Sequence, residues 1–465
     1  MLIDFRVENF RSFEKEQTLS LVASNKFLDH AEHCVPIGET GKKALRTCVL
    51  YGANASGKSN LVKAIQFAKK LILIRGSGLL NALISNQFRF GKKKALSTFE
   101  FRFLASGRVY TYGFSVTASS VEDEWLSVIA PSGREDDIFT RSKQKISIGT
   151  SRTLFAGKME VSKQALQALR VLKPKPDQLL LNRLTDVDFE SQGELLRPVT
   201  WWFFACLIVI EPQATFGPLV DLLESEEHFR KFAGEFLSGV GTGIEELVVE
   251  TKKVEMDKLP RELLKALQET KAGESSVSIG HPSVDFQLDP DDPSTVVRRN
   301  LIAQHRVSGS QFTIPFQEES DGTQRCLDLL PALFHLKMKE RVFVVDEINR
   351  SLHPLLCYAM LEFFLTGNVE ATHQQLIVTT HETHLLDQEL LRRDEIWFVE
   401  KDSNQSTQLH SLSDMNVRND VRIEKGYLHG RFGGIPIIEH GGKLMDMIRT
   451  SSNGRTNGKK KTAHR

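Results

Sequence analysis

Gly52-Ala53-Asn54-Ala55-Ser56-Gly57-Lys58-Ser59 has the spacing G-x-x-x-x-G-K-S, and its flanks decide how it is read. Before it, Cys48-Val49-Leu50-Tyr51 is an unbroken apolar run of strand length. After it, Leu61, Val62, Ala64, Ile65 and Ala68 recur at helical spacing. A strand that turns through glycines into a helix aims backbone N–H groups and the positive end of the helix dipole at one point. That cradle suits the phosphates of a nucleoside triphosphate. Lys58 is predicted to reach the β- and γ-phosphates and the Ser59 hydroxyl to ligate Mg²⁺. Gly52, Asn54, Ala55, Ser56, Gly57 and Asn60 complete the expected binding loop.

A phosphate cradle needs groups for the metal and for the attacking water. Arg341-Val342-Phe343-Val344-Val345 and Gln375 to Thr380 both read as fully buried parallel strands. The first ends in Asp346-Glu347, two carboxylates that are costly beside an apolar core unless a cation or a reacting group meets them. Asp346 is the expected Mg²⁺ ligand and Glu347 the residue that polarises water. The second strand leads into His381, on the edge where parallel α/β sheets bind ligands, within reach of a γ-phosphate. Two other readings of His381 stay open: a metal pair with His384, and a histidine satisfied within the core. Upstream, Ser320-Asp321-Gly322 opens a helix and offers a hydroxyl and free amides. One nucleotide rarely needs two such cradles from one subunit, so the second is expected to face a partner's nucleotide.

The remaining composition narrows the class. The 465 residues can bury a large core. With 60 basic and 59 acidic side chains the net charge is +1, which supplies no bulk attraction for nucleic acid. Cys34, Cys48, Cys206, Cys326 and Cys357 form no C-x-x-C pair, which suits a reducing compartment and argues against a structural zinc site. The N-terminus alternates like a strand and lacks the core of a signal peptide. Trp201 to Ile210, the most apolar stretch, is half the length of a bilayer span. A cytoplasmic protein without membrane association is expected.

Three regions and a tail follow from the pattern. Residues 1–150 read as a mixed lobe holding the phosphate loop and a β meander, with a hairpin at Ser106-Gly107. Residues 151–300 read as a mostly helical insertion with an exposed loop running to Ser294. Residues 301–440 return to alternating strands and helices, and 441–465 form a basic tail read as disordered.

Together these residues resemble the ABC-type ATPases of the SMC/RecF-like branch: α/β P-loop NTPases whose head combines a mixed sheet with an antiparallel meander and a helical insertion. Asn9-Phe10-Arg11-Ser12-Phe13 resembles that branch's N-terminal strand motif, and Gly52 to Ser59 its Walker A. Ser320 to Gln324 resembles its signature, Val344 to Glu347 its Walker B, Ser351-Leu352-His353-Pro354 its D-loop and His381 its switch histidine. Within the branch the chain is similar to AAA ATPases of bacterial anti-phage and abortive-infection systems, a likeness that extends to Gly426-Tyr427-Leu428 and Gly430 to Pro436.

The resemblance implies ATP and Mg²⁺ as ligands and a head-to-tail homodimer or larger oligomer. In it, one subunit's Gly52–Ser59 and another's Ser320, Asp321 and Gly322 sandwich ATP. It also implies a contact from Arg11 to the nucleotide and a separate effector, a nuclease or toxin. Asp321 stands where transporter-type signatures have glycine, and Gln213 is the candidate for the glutamine that joins the lobes to Mg²⁺. The competing expectation is a RecF-like repair clamp that grips DNA through Lys92-Lys93-Lys94, Arg392-Arg393 and the tail. A non-hydrolysing scaffold is a third, against which Glu347 argues.

Overall fold

Alternating apolar residues build the first sheet. The computed structural model describes residues 1–74, 78–91, 96–129, 133–151, 154, 160–172, 175–184, 187, 190–212, 219–268, 277–278, 283–289, 291–292, 294–334, 340–366, 373–415 and 422–434. Seven antiparallel strands run in the order Lys145–Ile148, Glu135–Ser142, Val121–Ile129, Arg108–Val116, Ser97–Ala105, Leu2–Glu8 and Gln17–Ser20. The expected hairpin lies between Ser97–Ala105 and Arg108–Val116. Ser106 (φ 47°) and Gly107 (φ 76°) both take the left-handed conformation that a two-residue turn needs to match strand twist.

Unbroken apolar runs build the second. Leu207–Ile210, Glu340–Val345, His373–Thr379, Thr47–Tyr51 and Ile396–Lys401 lie parallel in that spatial order, and Thr407–Ser411 closes the edge antiparallel. All five residues of Thr47–Tyr51 are buried, because both faces are covered. Cys48 and Leu50 face one core, shared with Phe5, Phe99 and Phe101 of the first sheet and with Leu61, Ala64 and Ile65 of the helix Lys58–Leu73. Val49 and Tyr51 face the other, beside Leu327 and Leu330 of the helix Asp321–Phe334 and Met360 and Phe364 of the helix Pro354–Thr366. Gln375 clips the sheets together: its amide accepts from Leu2 N at 2.5 Å and donates to the carbonyls of Leu2 and Leu45 at 2.8 Å.

The regions 1–150 and 301–440 share one sheet, since Thr47–Tyr51 sits between His373–Thr379 and Ile396–Lys401. Among the described residues, 151–300 carries more helix than strand, but its later part forms a sheet. After the helices up to Gly239, Ile244–Glu255 pairs along its length with Thr295–Val307, whose other side takes Val284–Leu288 and Ser310–Pro315. The stretch read as an exposed loop therefore holds strands, with Ser283 and Asp285 buried. The tail, Lys92-Lys93-Lys94 and Gln213 lie outside the described residues. Among the described residues no helix is long and apolar enough to cross a membrane.

Candidate nucleotide-binding site

The loop is held open before any ligand arrives. Gly57 caps the helix Lys58–Leu73 at φ 119°, a conformation L side chains rarely adopt, and Ala55 lies left-handed at φ 63°. A Cβ on Gly52 would collide with the Val399 carbonyl, and one on Gly57 would overlap the Thr407 hydroxyl and come within 2.9 Å of Ser12 Oγ. These close approaches come from two braces that sequence reasoning missed. Thr407 Oγ1 donates to Ser56 O at 2.8 Å and accepts from Ser12 Oγ at 2.7 Å, and Asn60 Nδ2 donates to Ser12 Oγ at 2.8 Å. Behind the loop, Gly434 packs so closely that a Cβ on it would lie 3.3 Å from Gly52 Cα, and Tyr427 OH donates to Gly434 O at 3.1 Å.

Lys58 occupies the cradle's centre. Its ammonium donates to Gly52 O at 2.6 Å and Ala53 O at 3.2 Å, with His381 Nδ1 at 3.5 Å. Burial lowers its pKa to about 8, against the opposing pull of Asp346 and Glu347. His381 has a solvent-exposed ring, yet partial desolvation and then the Lys58 charge hold its pKa below the ordinary value.

Asp346 is fully buried at the end of its strand, and neighbouring hydroxyls meet its charge. Its Oδ1 accepts from Thr379 Oγ1 at 2.6 Å and from Ser59 Oγ at 3.1 Å. The Thr379 hydroxyl accepts in turn from Glu347 N at 2.8 Å. Thr379 is thus the bridge from the phosphate-loop side of the sheet to both carboxylates, supplied by the strand between them. Glu347 sits left-handed at φ 51°, a strained setting that turns the chain sharply after Asp346.

A cavity of about 480 Å³ opens above these groups, lined by Ala53 to Asn60, Glu347, His381 and Lys401. Residue types and room both fit a nucleotide polyphosphate. The Ser56 hydroxyl is buried without a hydrogen-bond partner, and Ser59 and Asp346 form an oxygen pair of the kind a hard divalent cation takes. Lys401 was not foreseen, since nothing in its sequence neighbourhood marks it.

Other predicted residues stand elsewhere. Arg11, expected at the nucleotide, is absent from the lining; its guanidinium lies over the Phe10 ring at 5.8 Å. Its neighbour Ser12 is the one that touches the loop. His384 turns towards Glu424, 3.8 Å away, and forms no metal-capable cluster with His381 among the described residues. Ser320 and Asp321 are exposed and also outside the lining. Ser320 Oγ accepts from Thr323 N at 3.2 Å as a helix cap, and Gly322 packs on the D-loop, where a Cβ would lie 2.7 Å from Ser351 O. Arg325, one turn on, donates to the Asp346 carbonyl at 3.5 Å and so ties the signature helix to the Walker B strand.

The family described as "AAA domain, putative AbiEii toxin, Type IV TA system" matches residues 48–154 and 255–387, which span the phosphate loop, signature, Asp346-Glu347 and His381. The chain belongs to this family. It carries an AAA-type ATPase domain built on an α/β fold with a mostly parallel central sheet. No curated protein matches it. Among solved structures, the SMC head domain from Thermotoga maritima is 11% identical with a TM-score of 0.38, over 88% of this chain and 98% of that one. The SmcHead bound to the C-winged helix domain of ScpA is 14% identical with a TM-score of 0.39, over 89% and 99%. The Smc head domain from Pyrococcus furiosus, with an extended coiled coil and bound to the C-terminal domain of ScpA, is 14% identical with a TM-score of 0.36, over 96% and 99%.

Proposed function

We propose that the chain hydrolyses ATP in a Mg²⁺-dependent reaction at a site completed by a second copy, and that this ATP-joined assembly gates a separate effector in anti-phage defence. The observation that carries the reading is a division of parts. Lys58, Ser59, Glu347 and His381 line one cavity, with Asp346 bonded to Ser59 beneath it, whereas Ser320, Asp321 and Gly322 stand outside its lining in the same chain. Lys58 leaves the loop carbonyls for the β- and γ-phosphates. Loop amides and the helix N-terminus take the remaining phosphate charge. Ser59 and Asp346 would hold Mg²⁺, which when bound neutralises phosphate charge. Glu347 accepts a proton from the attacking water and His381 bonds the γ-phosphate.

Loss of the γ-phosphate removes what both surfaces grip and loosens the assembly. The family's description names an AbiEii-type toxin of a Type IV TA system, which supports a defence setting, and a nuclease is the effector class proposed. The DNA-clamp alternative loses one of its basic runs. Arg392 is buried, bonded to Asp394 and to the carbonyls of Asp29 and Phe27, so it offers no charge to a phosphate backbone.

Glu347→Gln tests the reading. The amide accepts no proton, so turnover falls by about 10²-fold or more while ATP still binds, and the ATP-joined assembly accumulates in gel filtration. Turnover equal to wild type, or loss of ATP binding with no change in fold, contradicts it.

A further inference from the structure

Outside the cavity lining, His30, Glu32 and His33 bring one ligand atom each within 4.8 Å of the others, the one such group among the described residues. The tautomers follow from their other contacts. His30 Nε2 lies 2.9 Å from the backbone carbonyl of Gln388, which only accepts, so Nε2 carries the hydrogen and Nδ1 of the neutral ring is a bare lone pair. His33 Nδ1 lies 3.1 and 3.2 Å from the two oxygens of the buried Glu395 carboxylate, so Nδ1 carries the hydrogen and Nε2 is bare. Both bare nitrogens face the same oxygen, Glu32 Oε1, at 3.4 Å from His30 Nδ1 and 3.8 Å from His33 Nε2. In these neutral tautomers three lone pairs converge.

One divalent cation satisfies all three. Zinc takes imidazole nitrogen and carboxylate oxygen at about 2.0–2.1 Å, and tetrahedral placement sets such ligands about 3.3 Å apart, close to the two nitrogen–oxygen separations of 3.4 and 3.8 Å. Each histidine already has the outer partner that ligating imidazoles use to fix ring orientation, a backbone carbonyl for His30 and a carboxylate for His33. We propose that His30, Glu32 and His33 bind one Zn²⁺ per chain, with water in the fourth position. The cysteine pattern, which argues against a thiolate zinc site, says nothing about this nitrogen and oxygen set.

The ion fastens the segment before Cys34–Pro36 to Gln388 and Glu395. Glu395 directly precedes Ile396–Lys401, the strand whose Val399 carbonyl backs Gly52. The proposal does not depend on the nucleotide reading.

The test uses tag-free full-length chain, stripped of metal and titrated with Zn²⁺ by calorimetry in millimolar Mg²⁺, which competes at Ser59 and Asp346. Because His33→Ala strands the buried Glu395 and endangers the fold, the variants are His30→Ala and Glu32→Gln, on the more open side of the cluster and checked by circular dichroism. One Zn²⁺ per wild-type chain is expected, at micromolar affinity or tighter, weakened about 100-fold or more in either variant. Co²⁺ in place of Zn²⁺ is expected to give the visible absorption of a four-coordinate site, lost in both variants. Substoichiometric or millimolar binding by wild type, or equal Zn²⁺ affinity in wild type and both variants, overturns the site.

Discussion

Replacing Gly57 by alanine probes the cradle without touching a charge. Gly57 lies at φ 119° and ψ 5°, outside the region alanine occupies comfortably, and forcing a side chain there costs about 1–3 kcal/mol. The added Cβ would overlap Thr407 Oγ1 and lie 2.8 Å from Thr407 Cγ2 and 2.9 Å from Ser12 Oγ, an overpacking cost of about 1–3 kcal/mol more. Relaxation must displace the Thr407 hydroxyl from Ser56 O, so the loop distorts while the helix Lys58–Leu73 keeps its buried face. The expected total is about 2–6 kcal/mol, divided between a lower melting temperature and weaker nucleotide binding, the latter by about 30-fold if 2 kcal/mol falls there. Fluorescent-nucleotide titration and thermal unfolding measure the two shares. The double variant Gly57→Ala/Thr407→Ala regains only the overpacking share, because φ is unchanged. Gly57→Ala that binds nucleotide within twofold of wild type at an unaltered melting temperature would refute the role given to this turn.

Lys58 makes binding sensitive to alkaline pH. With its free-state pKa near 8 and its ordinary charge restored by phosphates, the chain takes up about 0.8 proton on binding Mg²⁺-free nucleotide at pH 8.5, but only about 0.1 at pH 7. Affinity therefore falls as pH rises above 8, and calorimetry in buffers of different ionisation enthalpy reads the proton count directly. The same shift acts on stability with the opposite trend: the lowered pKa destabilises the free fold below pH 8, and that penalty is relieved between pH 8 and the ordinary lysine value of 10.5. Thr379→Val keeps the shape but strips Asp346 of a donor and leaves Glu347 N without its acceptor. Denaturant unfolding should show a loss of about 2 kcal/mol or more, and turnover should fall while nucleotide binding is largely kept.

Much of the site was legible because its parts are short and local. The run Cys48–Tyr51, the loop and the helix are contiguous, and the carboxylates and His381 each end an unmistakable apolar strand. What escaped notice depends on distant approach. Ser12 and Thr407 meet at 2.7 Å across most of the chain, and neither carries a local mark beyond Ser12's place inside Asn9–Phe13. The same holds for Gly434 behind Gly52, a contact made by absence of side chains. The sheet at 244–315 was missed for another reason. Ile244–Glu255 buries only Ile244 and Leu247 and carries many charges, so it has little of the alternation that announces a half-buried strand; pairing with Thr295–Val307 holds it instead. Arg392 shows the converse error, a basic residue read as a DNA contact that turns out to hold Asp394 and the carbonyls of Asp29 and Phe27.

The claim beneath the account is that one chain holds only half of each catalytic centre, and mixing two inactive variants measures it. Lys58→Ala loses the phosphate loop and keeps the signature; Ser320→Arg blocks the signature and keeps the loop. Random pairing makes about half of the dimers mixed, each with one intact site of two, so the mixture should recover about a quarter of wild-type ATP turnover. A mixture as inactive as either variant alone, with mixed dimers shown to form, would contradict the shared site.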